Sequence, residues 1–173
     1  AERAGRHIDL LAVRCPLLYQ RGEQEACRAD VEAMLSLAGS MSEPERQVEA
    51  LLQQAEYLCK AASEYEAARQ AAEKALALAL EHSMRRAETR AWLTIGTAWK
   101  QQGHSAPALE AYQRALDAQQ AGAAEVVDIY VGLVMTYRDI GNLDKAQETA
   151  QIALEKAQAG DDPLAAARVH NAM

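Results

Sequence analysis

The sequence contains no phenylalanine, and two tryptophans and six tyrosines bring its aromatics to only 5%. β-Branched residues are also sparse, so strand-forming material is scarce. There are four prolines, and Pro44, Pro107 and Pro163 stand near expected helix starts, where a missing N–H costs little. Cysteine is limited to Cys15, Cys27 and Cys59, with no CxxC spacing. An odd count without that spacing argues against a disulfide framework or a zinc site and favours a reducing compartment, with the three thiols as small apolar fillers. The longest purely apolar run, Ala75–Leu80, falls far short of the roughly 20 residues that span a bilayer. The opening Ala1-Glu2-Arg3-Ala4-Gly5 has no apolar signal core behind it, and its lack of a Met suggests a piece of a longer protein. Cations are outnumbered, with 18 Lys and Arg against 25 Asp and Glu and a net charge of −7. A general nucleic-acid binder needs the opposite balance. The expectation is a cytoplasmic chain with no membrane segment and no direct nucleic-acid partner.

Catalytic signatures are missing too. There is no GxGxxG, no GxxxxGK[ST], no HExxH, no GxSxG and no EF-hand loop. His7, His82, His104 and His170 are scattered and read as solvated surface residues. No cofactor, metal or enzymatic activity is expected.

What the chain has in quantity is Ala, Leu, Glu, Gln and Arg, the strong helix formers. These residues recur in a pattern. Trp92-x2-Ile95-Gly96-x2-Trp99 is followed by Gly103 and by Ala108-x3-Tyr112-x2-Ala115-Leu116. A second copy reads Tyr130-x2-Leu133-x3-Tyr137, Gly141, Ala146-x3-Ala150-x2-Ala153-Leu154, with Val134 in place of the first glycine. An earlier copy reads Leu52-x2-Ala55-x3-Cys59, Ser63, Ala68-x3-Ala72-x2-Ala75-Leu76. The first is weakest, with Leu11, Leu18, Gly22, Cys27, Val31 and Met34-Leu35. The leading large residues Leu11, Leu52, Trp92 and Tyr130 are spaced by 41, 40 and 38 residues.

Each copy predicts a helix hairpin. Large residues at i, i+3 and i+7 share one face of the first helix. Gly22, Gly103 and Gly141 supply the left-handed residue that ends it. Asn142 and Ser105 are candidate N-caps for the second helix, and Ser42-Glu43-Pro44-Glu45 reads as a capping box. Ala108 and Ala146 let the paired helices approach, and Tyr112 fills the gap to the next copy. Trp92 and Trp99 are expected to be deeply packed, with Trp92→Ala costing roughly 3–5 kcal/mol. The predicted helices cover about 6–21, 23–38, 43–61, 64–82, 84–102, 105–121, 124–140 and 143–159, with a last one opened by Asp161-Asp162-Pro163. Pro16 falls inside the first and is expected to kink or break it. The copies occupy about 6–41, 42–82, 83–122 and 123–160 in one domain, with a capping or truncated helix over 161–173.

The pattern resembles the tetratricopeptide repeat, W-x2-L-G-x2-Y … A-x3-F, over roughly 6–160. The periods exceed the usual ~34. In that respect the chain is similar to the extended repeats of bacterial signalling ATPases and maltose-regulator-type transcription factors, of kinesin light chains and of spindle-orientation adaptors. The resemblance implies an all-α, right-handed superhelical solenoid of about four hairpins plus a C-terminal helix. It also implies a groove, lined by the first helix of each hairpin, that takes a peptide segment. Members that clamp a C-terminal carboxylate carry a Lys–Asn pair one and five residues after the leading large residue. Those places hold Ala12 and Pro16, Gln53 and Tyr57, Leu93 and Thr97, Val131 and Met135. The clamp is absent, and with it the co-chaperone role.

Candidate groove residues are Gln53, Tyr57, Lys60, Arg90, Leu93, Thr97, Lys100, Asp128, Val131, Met135 and Arg138. Eight residues after each leading residue stand Tyr19, Lys60, Lys100 and Arg138. Three successive cations there fit either a stripe for an acidic peptide or ordinary pairing of a cation with a helix C-terminus. Leu93, Val131 and Met135 fit either an apolar groove floor or plain packing. The functional expectation is a scaffold that binds a protein or peptide segment, as the interaction or sensor part of a multidomain cytosolic regulator. The alternative is self-association through exposed ends of the array.

Overall fold

The computed structural model describes residues 2–118, 123–160 and 163–173. Among them the chain is all-helical. The helices are α1 (Glu2–Gln20), α2 (Gln24–Gly39), α3 (Pro44–Lys60), α4 (Tyr65–Glu81), α5 (Arg85–Gln101), α6 (Ser105–Asp117), α7 (Ala123–Asp139), α8 (Leu143–Ala159) and α9 (Pro163–Ala172). None is long and apolar enough to cross a membrane. Each helix packs on the next, so short turns make the neighbours antiparallel. Odd-numbered helices also touch one another in order, α1 to α3, α3 to α5, α5 to α7 and α7 to α9, whereas the described even-numbered helices do not. The odd helices therefore form the tighter, inner row. This succession is compatible with a helical repeat.

The alternation has a local cause. The even helices carry alanine stripes toward their partners: Ala68, Ala72, Ala75 and Ala79 on α4, and Ala146, Ala150, Ala153 and Ala157 on α8, all buried. Small side chains allow close approach, and larger ones from the odd helices fill the space between. Leu52, Ile95, Ile129 and Val134 are buried there, each worth roughly 1.5–3 kcal/mol. The turns close as the glycines require. Gly22, Gly103 and Gly141 have φ of 75°, 79° and 75°. After α5, the Gly103 N–H donates to the Lys100 carbonyl and His104 N–H to Trp99, both at 2.9 Å, the paired bonds of a Schellman ending. Ser63 and Ser83 take the same left-handed place with φ 56°.

Several expectations are corrected. The start of α3 shows no capping box: Glu43 is the N-cap without a side-chain bond. The polar reach there is Gln47 Nε2 donating to the Met41 carbonyl at 2.9 Å. Ser105 lies one residue inside α6, whose N-cap is His104. Asn142 caps α8 as expected, accepting from Lys145 N–H at 3.2 Å. Pro16 does not break α1, which runs through it, because its missing N–H forfeits one bond within a helix held by packing on α2 and α3. The part of α6 expected beyond Ala118 and the Asp161-Asp162 start of the last helix lie outside the described residues.

The cysteines differ most. Cys15 and Cys27 are joined as a disulfide between α1 and α2, leaving Cys59 free and buried. The hairpin brings both to the same level, which spacing along the chain does not reveal. With a disulfide present, the cysteine argument for a reducing compartment loses its premise. The tryptophans are also not deeply buried. Trp92 and Trp99 are half-buried beneath guanidinium lids, Arg114 at 5.1 Å from the Trp92 ring and Arg69 at 4.6 Å from Trp99. The large buried side chain is Tyr112, at 1% exposure.

Candidate functional site

The inner row encloses a cavity of about 540 Å³ between α3, α5 and α7, with Arg168 of α9 at one wall. Nine of the expected groove residues line it: Gln53, Lys60, Arg90, Leu93, Thr97, Lys100, Asp128, Val131 and Met135. They converge because i, i+3, i+4 and i+7 positions of parallel helices face one way. Tyr57 instead lines a smaller cavity with Cys15, Tyr19 and Cys27, which shares Pro16, Gln53, Glu56 and Lys60 with the larger one. Together the two cavities extend across α1, α3, α5 and α7. Arg138 leaves the row by reaching the Ala172 carbonyl at the end of α9.

The floor is built by Tyr112. A Cβ at Gly96 would lie 2.8 Å from its ring, and one at Gly132 would lie 2.5 Å from Cζ and 2.8 Å from the hydroxyl oxygen. The two glycines thus admit the ring between α5 and α7. Its hydroxyl donates to Thr97 Oγ1 at 3.4 Å, while the Thr97 hydroxyl donates to the Leu93 carbonyl at 2.8 Å. Burial, acting against the weaker effect of the Thr97 bond, pushes the Tyr112 pKa up, so the phenol stays protonated. Leu93, Val131 and Met135 also line the cavity wall.

The charged residues cross-brace the helices. Arg90 Nη1 is 2.8 Å from Glu49 Oε2 and Nη2 is 2.9 Å from Glu56 Oε1, tying α5 to α3. Burial alone would lower the Arg90 pKa, but Glu56 and Glu49 outweigh it and raise it. Burial likewise pushes the Glu56 carboxyl up, yet Arg90 and Lys60 overcome this and hold it below its ordinary value. Lys60 stands 3.6 Å from Glu56, and Gln53 Nε2 donates to Glu49 Oε1 at 3.1 Å. Across the cavity, Arg168 pairs with Asp128 at 2.8 Å and Arg86 with Glu125 at 2.8 Å. Asp128 has its pKa raised, first by burial and then by Glu125 and Glu56, against Arg168 and Lys60. The Cys59 thiol is pushed up by burial.

Glu49, Glu56, Tyr112, Gly132 and Arg168 were not among the expected site residues. Glu49 precedes Arg90 by 41 residues, close to one period, which is the signal that could have paired them. Gly132 sits alone in an apolar helical stretch, where a glycine costs about 1 kcal/mol and so calls for a packing reason. All four histidines are exposed. No protein-family model matches the chain, and no curated protein is significantly similar to it.

Proposed function

We propose that the chain is a tetratricopeptide-like interaction module whose inner row binds an extended segment of another protein. The observation that supports this reading is the pair of cavities that share Pro16, Gln53, Glu56 and Lys60 in their linings and together extend across α1, α3, α5 and α7. Packed helices stand roughly 8–10 Å apart, so three steps cover about 24–30 Å. At roughly 3.3–3.6 Å per residue, that length accommodates about seven to nine residues. A compact ligand would fill only the central cavity. The mixed lining, apolar at Leu93 and Val131 and charged at Lys60, Arg90 and Asp128, supports a segment of mixed composition.

Random nine-residue peptides displayed on phage and selected on the intact chain test the reading. Peptides so recovered should lose binding at least about tenfold with Leu93→Arg, which fills the groove, and keep it with Leu80→Glu on the exposed face of α4. Loss with the α4 variant and retention with the groove variant would contradict it.

A second reading rests on α1. Leu10, Val13 and Leu17 are 70%, 68% and 54% exposed and fall at i, i+3 and i+7, one apolar stripe on the end helix. Self-association through this stripe predicts a dimer in light scattering that Leu10→Glu with Leu17→Glu abolishes. A monomer in the unaltered chain removes it.

A further inference from the structure

The cations of the inner face are nearly all engaged. Arg90 is shared by Glu49 and Glu56, Lys60 faces Glu56, Arg86 faces Glu125, Arg168 holds Asp128, and Arg138 reaches a backbone carbonyl. Among the described residues Lys100 is the one cation of this face without such a partner. Its ammonium reaches the Met135 sulfur at 3.7 Å, and the side chain is half-buried in the cavity wall. An ammonium on the cavity wall that reaches only a thioether sulfur leaves this place complementary to an anion. The Tyr112 hydroxyl lies on Thr97, one helical turn from Lys100 on the same face of α5. Its bond to Thr97 is long at 3.4 Å, so its proton can turn to a better acceptor. Beside these two donors stand the aliphatic walls of Leu93 and Val131.

Building on the peptide-groove reading above, we infer that Lys100 and the Tyr112 hydroxyl anchor an aspartate or glutamate side chain of the bound segment, with an adjacent aliphatic side chain against Leu93, Val131 and Met135. One ammonium and one phenol match a monoanion. A phosphate, near two negative charges, calls for a cluster of cations, whereas Arg90, Lys60 and Arg168 are already engaged by Glu49, Glu56 and Asp128. The acidic preference thus comes from one uncompensated lysine rather than from a column of three.

The test uses the same displayed random nonapeptides, selected on the intact chain. The expected result is an Asp or Glu at a fixed spacing from a Leu, Ile or Met among the enriched peptides. One such peptide should bind about tenfold more weakly to Lys100→Gln, about threefold more weakly to Tyr112→Phe, and nearly unchanged to Lys100→Arg or to Lys74→Gln on the outer helix α4. Changing the peptide's acid to its amide should produce the same loss, and combining it with Lys100→Gln should add nothing further. Lys100→Gln should melt with the unaltered chain, because Lys100 makes no ion pair. Enriched peptides without an acid, or indifference to Lys100→Gln while Leu93→Arg still abolishes binding, would overturn the anchor and leave the groove reading standing. No enrichment, or binding that survives Leu93→Arg, would overturn both.

Discussion

Gly132→Ala is the substitution on which the packing account commits itself most sharply. In an ordinary helix interior the change stabilises by about 1 kcal/mol, because alanine loses less backbone freedom. At Gly132 the added Cβ would meet three atoms of the Tyr112 ring end at 2.5–2.8 Å. Tyr112 is only 1% exposed and is backed by Gly96, whose own Cβ would lie 2.8 Å from the other part of the ring, so the ring has nowhere to move. Overpacking typically costs about 1–3 kcal/mol, and three contacts at 2.5–2.8 Å put this one at about 2–3 kcal/mol, which the propensity gain only partly offsets. Gly132→Ala should therefore lower stability by about 1–2 kcal/mol net, a fall of about 2–8 °C in melting temperature for a chain of this length. Gly39→Ala is the matched control: nothing lies within 4 Å of its added Cβ, and the melting temperature should hold or rise. Thermal melts followed by circular dichroism read both. In a Tyr112→Leu background the Gly132→Ala penalty should vanish, since the shorter side chain frees the space. A Gly132→Ala variant as stable as the parent, or a penalty that persists without Tyr112, would refute the reasoning.

Other outcomes follow from the same structure. Ser63→Gly and Ser83→Gly should each stabilise by about 0.5–1 kcal/mol in urea unfolding, because both serines hold left-handed backbone at φ 56°. Destabilisation would mean that their side chains contribute more than the backbone strain. The folded pKa of Glu56 is depressed, so its contribution is present above the unfolded carboxyl pKa and is lost as pH falls through the folded value. Arg90→Gln should accordingly destabilise near neutral pH, and the gap to the parent should narrow as Glu56 protonates on acidification. A gap that is constant with pH would contradict the pairing. Cys15 and Cys27 close a loop of 12 residues in separation, so reduction should cost about 3 kcal/mol. The denatured, unreduced chain should titrate one thiol, from Cys59, and three titratable thiols would show that the bridge does not form.

Much of the helical layout was legible because it rests on local rules. Apolar spacing and the glycines at 22, 103 and 141 located the hairpins to within a few residues, and Asn142 caps where it was expected to. Leu93, Thr97, Val131 and Met135, singled out through the repeat resemblance and its register, line one cavity because they fall on the same face of their helices. What failed depended on distances between helices. The depth of Trp92 was misjudged because pattern says which face a residue takes, not whether an arginine or another helix covers it. The disulfide and the Arg90–Glu49 brace join residues on different helices, and no local rule carries that information. Arg138 falls in register with Lys60 and Lys100, yet a helix beyond it draws it away.

The central claim, that the inner row is the binding face, is tested most directly by methyl NMR of the chain labelled at leucine and methionine, titrated with a nonapeptide recovered by display. The account predicts saturable shifts at Leu93 and Met135 and none at Leu80 on the outer side of α4 or Leu10 on the outer side of α1. Shifts centred on Leu80 or Leu10, with Leu93 and Met135 unmoved, would contradict it.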